Sequence, residues 1–359
     1  MLFSGYYGFG NLGDEAILAA SIAALRAARP DLDIEVLSAD PRRTARQYGV
    51  RGASRSNPLH ILAALRRADL LLSGGGGLLQ DVTSPASPLY YLGILRLAQL
   101  LRRKTMVFAQ GIGPLHSRRS IALTLSCSRR ANAITVRDEA SAQWLRERGL
   151  DDSDIVVAGD PALLLEACPR ERACEILAGN GAPGDGRRIG ICVRPWHTAP
   201  HLVRTLASLA DELARELDAH VLLLPFHPHL DLEPCRNIAR LTGRPATVLE
   251  GTLSPGEALG VIARLDLLIG MRLHSLILGA LAGAPLLGIS YDPKVDAFLE
   301  SLGLRAAASA EALDGAVVRA AAHEAMARSD RQQRRLRDRV EGLKEAAQRS
   351  IQGALSLLD

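Results

Sequence analysis

At 359 residues and 48% hydrophobic content the chain exceeds one ordinary core, and a typical ~150 residues per domain implies two domains. Its 43 Lys and Arg against 39 Asp and Glu leave a net charge of +4, too mild to argue for nucleic acid as a partner. Aromatic residues make up only 4%, against a surface that stacks bases, and the five cysteines (Cys127, Cys168, Cys174, Cys192, Cys235) show neither a disulfide framework nor zinc-ligand spacing.

The chain enters a strand-like segment at 1–5 without the charged and apolar regions of a signal peptide, and no run approaches the ~18 apolar residues of a membrane span. A soluble, cytoplasmic protein is expected. Further strand-like runs lie at 34–38, 70–73, 105–110, 133–137 and 155–158, with helical patterns at 14–28, 58–67, 88–103, 118–131 and 139–148. Such alternation is the signature of parallel α/β layers. The turn-rich stretch 180–188 interrupts it, so a domain boundary is expected between Glu166 and Arg187. The alternation then resumes, with strands at 189–193, 220–225, 246–249, 265–269 and 285–290.

The fold expected is α/β, two tandem doubly wound Rossmann-like domains (1–170 and 187–310) facing a central cleft, then a helical segment 311–359. In that last segment Arg331, Arg334, Arg335, Arg337 and Arg339 share a helix with Leu336, Val340 and Leu343. The pattern fits a solvated basic face on a packing helix; attraction to an anionic membrane surface is the alternative.

Three glycine-rich stretches follow strands of the first domain. Gly5-Tyr-Tyr-Gly-Phe-Gly-Asn-Leu-Gly-Asp-Glu15 makes Gly8, Gly10 and Asn11 candidate substrate contacts, because glycines let backbone donors approach an anion or sugar hydroxyls. Glu15 reads as a helix cap; Asp14 is either a cap or a base for an incoming hydroxyl. Ser73-Gly-Gly-Gly-Gly77 predicts freed backbone donors at a turn or helix start, with Gly75 and Gly76 as contacts, and Gln110-Gly-Ile-Gly-Pro114 repeats the theme.

In the second domain Gly270-Met-Arg-Leu-His-Ser275 lies between an apolar strand and a small-residue helix. Helix amides, the guanidinium of Arg272 and the titratable imidazole of His274 there suit an anionic substrate, with Leu273 and Ser275 alongside. Arg194, His227 and His229 fall at other strand ends of the same domain. His227 and His229 have no third partner at metal-ligand spacing, so no metal is expected. No nucleophile elbow or P-loop accompanies this basic pocket.

With Val136-Arg-Asp-Glu139, Gly159-Asp-Pro161 and Tyr291-Asp-Pro-Lys294 added to these motifs, the sequence resembles the polysaccharide pyruvyl transferase family, CsaB type, over nearly its whole length. The resemblance implies a fold similar to the two-domain GT-B glycosyltransferases. It implies transfer of pyruvate from phosphoenolpyruvate to a sugar, usually as a 4,6-linked ketal, without cofactor or metal. The family's catalytic Arg-Leu-His falls on Arg272, Leu273 and His274, with Arg194 as the other donor-site arginine. His274 would then be the acid and Asp14 a candidate base on the acceptor side. The implied acceptor is a lipid-linked disaccharide containing N-acetylmannosamine, whose pyruvate later anchors S-layer proteins. Such an acceptor brings peripheral contact with the inner face of the membrane. The alternative enzyme is a GT-B glycosyltransferase using a nucleotide sugar.

Overall fold

Runs such as Leu2–Ser4 and Leu267–Gly270 have no polar side, and both are buried along their length. Parallel strands covered by helices on two faces behave in this way. The computed structural model describes every residue except Thr83, His197 and Pro200. It divides into two compact units, Met1–Leu165 with Gly342–Asp359, and Glu166–Glu341.

The first unit carries β1 (Leu2–Ser4), β2 (Glu35–Ser38), β3 (Arg51–Ser54), β4 (Leu70–Leu79), β5 (Lys104–Ile112), β6 (Ala133–Val136) and β7 (Ile155–Val157). All pair in parallel, in the order β3-β2-β1-β4-β5-β6-β7. Its helices are α1 (Leu12–Ala28), α2 (Pro41–Tyr48), α3 (Pro58–Arg67), α4 (Ala86–Leu100), α5 (Arg118–Ser128) and α6 (Glu139–Arg146).

The second unit repeats the plan. Its strands β8 (Arg187–Cys192), β9 (Ala219–Leu223), β10 (Ala246–Val248), β11 (Leu267–Gly270), β12 (Leu286–Ser290) and β13 (Ala308–Ser309) run in the order β10-β9-β8-β11-β12-β13. Around them lie α7 (Arg170–Gly179), α8 (Leu202–Leu217), α9 (Pro228–Leu241), α10 (Pro255–Ile262), α11 (Leu273–Leu281), α12 (Pro293–Ser301) and α13 (Gly315–Met326). In each sheet the winding reverses beside the first strand, between β1 and β4 and between β8 and β11. Ligands of open α/β sheets bind outside the carboxyl ends at such points.

Several elements depart from the sequence reading. The glycines after Ser73 do not leave the sheet: β4 continues through them, with Gly74 opposite Phe108 and Gly76 opposite Gln110, and the register shifts only between Gly76 and Leu79. A Cβ on Gly74 would come within 2.3 Å of the Phe108 carbonyl, so the run is glycine because two backbones approach closely. The strand β3 and helix α2 escape pattern reading because β3 has no apolar alternation and α2 buries only Thr44. Helix α7 occupies part of the stretch read as a boundary.

The terminal helix α14 (Asp330–Ser356) ends inside the first unit's packing. There Ile351 and Ala354 join the core of β1, β2 and β4, and the Ser350 hydroxyl donates to Thr135 Oγ1 at 2.9 Å. Among the described residues no helix is long and apolar enough to cross a membrane.

Candidate functional site

The carboxyl edge of the second sheet gathers side chains from four neighbouring strands. Cys192 and Gly270 end β8 and β11 as direct partners, and Arg194 and Arg272 each follow two residues later. The two arginines therefore flank the point where the winding reverses. Arg272 sits at the N-cap position of α11, where extended backbone (φ −73°, ψ 130°) turns into helix. The Ser275 hydroxyl donates to the Arg272 carbonyl at 2.6 Å and closes that turn. Ser275 and Leu273 are buried, so both side chains serve packing. His274, half-buried, lies in the first turn of α11.

Arg272 is held by a residue that the sequence reading missed. Asp231, wholly buried in the first turn of α9, receives Arg272 Nε at 3.0 Å and Nη2 at 2.5 Å. The backbone N–H groups of Phe226 and His227 donate to the same carboxylate, at 3.1 and 2.8 Å. Burial alone would lower the Arg272 pKa, but the Asp231 carboxylate outweighs it and the net shift is upward, so the guanidinium is a fixed cation. A carboxylate in the first turn of a helix that follows a strand was the available signal. Its partnership with Arg272, 41 residues away, was not readable.

His227 occupies the N-cap position of α9 without a side-chain capping bond and is buried, whereas the adjacent ligand candidate His229 is exposed; their rings lie 6.0 Å apart at 64°. Burial and then the charge of Arg272 push the His227 imidazole below its usual value, which favours the neutral form. Among the described residues no group of three His, Cys, Asp or Glu could hold a metal ion.

Arg194 is held differently, by aromatic groups. Its Nη1 donates to the Tyr291 hydroxyl at 2.9 Å, and its guanidinium lies 4.6 Å from the Tyr291 ring centroid and 5.7 Å from that of Trp196. Tyr291 directly follows β12, so its motif contributes an arm for Arg194. Cys192 is inert here: burial pushes its thiol up to about 12.

In the first unit the loop after β1 is tied down rather than open. The Gly8 N–H donates to Glu15 Oε1 at 2.8 Å and the Tyr48 hydroxyl to Glu15 Oε2 at 2.7 Å, so Glu15 clamps the loop. Gly8 has φ +83°, and a Cβ there would lie 2.1 Å from Ser38 Oγ. Gly10 shares a positive φ, +75°. Asn11 caps α1 and donates from Nδ2 to Asp14 Oδ2 at 2.5 Å. Asp14 is 7% exposed and borders Gly76, whose Cβ would meet Asp14 Oδ1 at 2.9 Å; one on Gly75 would meet Ile17 at 2.6 Å. The structure thus brings Gly8, Gly10, Asn11, Asp14, Gly75 and Gly76 to one sheet edge, mostly as packing partners.

Beside them lies an aromatic cluster absent from the sequence reading. Arg55 has Phe9, Tyr90 and Tyr91 within 4.8, 4.6 and 5.4 Å of its guanidinium carbon, and Tyr6 stacks on Phe9 at 4.1 Å.

Comparison with solved structures gives full-length likeness at low identity. Staphylococcus aureus MnaA, in a co-structure with UDP, matches with a TM-score of 0.66 and 13% identity over 97% of this chain and 93% of that one. UDP-GlcNAc 2-epimerase from Neisseria meningitidis, bound to UDP-GlcNAc, gives 0.62 and 12% over 99% and 100%. Anabaena Alr3699/HepE, in complex with UDP-glucose, gives 0.58 and 13% over 99% and 96%. At such identities the likeness establishes the fold: two Rossmann-like domains of GT-B-like class. A search of curated proteins found no match. The family model for polysaccharide pyruvyl transferase matches residues 11–293, which takes in Arg194, Asp231, Arg272, His274 and Tyr291, and the chain belongs to that transferase family.

Proposed function

We propose that the enzyme transfers pyruvate from phosphoenolpyruvate to two hydroxyls of a cell-surface polysaccharide precursor sugar, forming a ketal and releasing phosphate. The observation that carries this reading is the pair Arg194 and Arg272 at equivalent positions of neighbouring strands, with His274 in the adjoining helix turn. Phosphoenolpyruvate offers a phosphate and a carboxylate, each of which suits a guanidinium. Arg272 uses Nε and Nη2 on Asp231, which leaves Nη1 for an oxyanion of the donor.

His274 protonates C3 of the donor and makes C2 electrophilic. One sugar hydroxyl adds to C2 and loses its proton to a general base. Phosphate then departs with its bonding pair, and the second hydroxyl closes the ketal as its proton is lost. The α11 amides favour the anion throughout. In the CsaB-type form of the reading the acceptor is a lipid-linked disaccharide containing N-acetylmannosamine, met at the cytoplasmic face of the membrane, and no cofactor or metal takes part.

The test is mass spectrometry of a synthetic lipid-linked disaccharide incubated with enzyme and phosphoenolpyruvate. A pyruvyl adduct with matching phosphate release supports the reading. No adduct and no phosphate, with tight binding of UDP instead, would transfer the enzyme to the nucleotide-sugar glycosyltransferases.

A further inference from the structure

A second concentration of charge lies at the opposite edge of the first unit's sheet. Lys104 opens β5 at its amino end, whereas Asp14 and Gly76 lie toward the carboxyl edge. Gly76 pairs with Gln110, so at about 3.3 Å per residue of β5 roughly 20 Å separates it from Lys104. At the amino edge is a cavity of about 320 Å³ lined by five cations, Arg96, Arg102, Arg103, Lys104 and Arg130, and by no Asp or Glu among the described residues.

Among the described residues no carboxylate lines the cavity to pair with these cations. Arg103 Nη2 donates to the Arg66 carbonyl at 2.8 Å, Lys104 Nζ to the Leu357 carbonyl at 2.6 Å, and Arg130 Nη1 to the Ser126 carbonyl at 3.0 Å. All three acceptors are neutral carbonyls. Arg103 Nε is buried and has no hydrogen-bond partner among the described residues. An unsatisfied buried donor is costly, and one on a guanidinium more so. Five like charges around one hollow also focus a positive potential that concentrates counter-ions. Leu100, the last residue of α4, is 65% exposed beside this cluster.

We propose that this cavity is a binding site for a phosphate-bearing polyanion, separate from the carboxyl edge of the same sheet. Arginine forks match phosphate oxygens two at a time, and the volume accommodates a diphosphate or a phosphorylated headgroup. A soluble polyphosphate and an anionic lipid share that chemistry. The inference does not depend on the proposed reaction.

Calorimetry with inorganic pyrophosphate on the full chain tests it, comparing the parent with the double variant Arg102→Gln, Arg130→Gln. Each cation near an anionic surface contributes roughly a factor of five, so the double variant should bind about 25-fold more weakly. Its turnover should match the parent's, which separates this site from the reaction site. Sedimentation with phosphatidylglycerol and phosphatidylcholine vesicles then identifies the source. Loss of phosphatidylglycerol binding in the variant points to a lipid headgroup; an effect on pyrophosphate alone points to a soluble phosphate. Should the double variant fold poorly, Arg96→Gln gives the same reading with about a fivefold loss. Pyrophosphate and vesicle binding that are both unchanged by these substitutions, or absent in the parent, would overturn the proposal.

Discussion

Replacing Asp231 by Asn changes one charge at the most enclosed ion pair near the candidate site. The Asp231 side chain is 0% exposed and that of Arg272 11%, so water cannot compensate either partner. Asp231 Oδ2 accepts from Arg272 Nε and from two backbone N–H groups, while Oδ1 accepts from Arg272 Nη2. Asparagine keeps the shape but brings an NH2 group, which must face a donor in either amide orientation. The less costly orientation places it against Nη2 and leaves the guanidinium buried beside an uncharged group. Breaking a buried pair by removing one partner costs about 3–5 kcal/mol. The substitution lies in the second unit, Glu166–Glu341, a domain of between about 150 and 250 residues. A domain of that size loses about 2–4 °C of melting temperature per kcal/mol, so a fall of roughly 6–20 °C is expected. Arg272 also loses its anchor, so KM for phosphoenolpyruvate should rise more than turnover falls. Scanning calorimetry and steady-state phosphate release read the two effects. A melting temperature within about 2 °C of the parent, with unchanged KM, would refute the assigned role of the pair.

His274→Ala should lower turnover by about 10²–10⁴-fold while calorimetric donor affinity stays within a few-fold, the split expected of a general acid. Tyr291→Phe removes the hydroxyl that accepts from Arg194 at 2.9 Å, and donor affinity should fall by roughly three- to tenfold with melting unchanged. Gly8→Ala combines φ +83° with a Cβ 2.6 Å from the Asp40 amide nitrogen, and a melting temperature equal to the parent's would contradict the clamped loop. Burial, then Arg272, depresses His227, and burial, then Arg188, depresses His220. Below about pH 6.5 the unfolded chain takes those protons and the folded one resists them, so stability present at neutral pH is lost as pH falls; melting scans on His227→Gln should show a shallower slope.

Strands β1, β5, β6, β8 and β12 were legible because a continuous apolar run bounded by turn residues has few other outcomes in a chain of alternating helices. The same logic placed Arg272, His274 and Arg194 at strand ends. It failed where the deciding contact is distant in sequence. Gly74 reads as part of a turn or helix start until the Phe108 carbonyl is seen 2.3 Å from its missing Cβ. Nothing along the chain marks Asp231 as the partner of Arg272, which arrives from the turn after β11, 41 residues away. Arg55 and its aromatic neighbours come from three separate stretches and carry no pattern along the chain.

The two arginines at the edge of the second sheet are held by unlike partners, and that difference divides their work. Arg272 shares its charge with a buried carboxylate, so the pair is close to neutral from a distance and adds little to long-range attraction of an anion. What it supplies is direction, because two of its nitrogens are fixed on Asp231 and the guanidinium plane is fixed with them. Arg194 faces a phenol and two aromatic rings, none of which cancels its charge. It therefore carries the positive potential that would draw a multiply charged donor to the β8/β11 point, with the α11 dipole in support. Neutralising Arg194 by Gln should slow donor association and flatten its salt dependence. Replacing the pair together, Arg272→Gln with Asp231→Asn, leaves the net charge unchanged and should spare association and accelerate release. Stopped-flow binding at several ionic strengths distinguishes the two, and equal effects of both substitutions on association would show that the buried carboxylate does not screen Arg272.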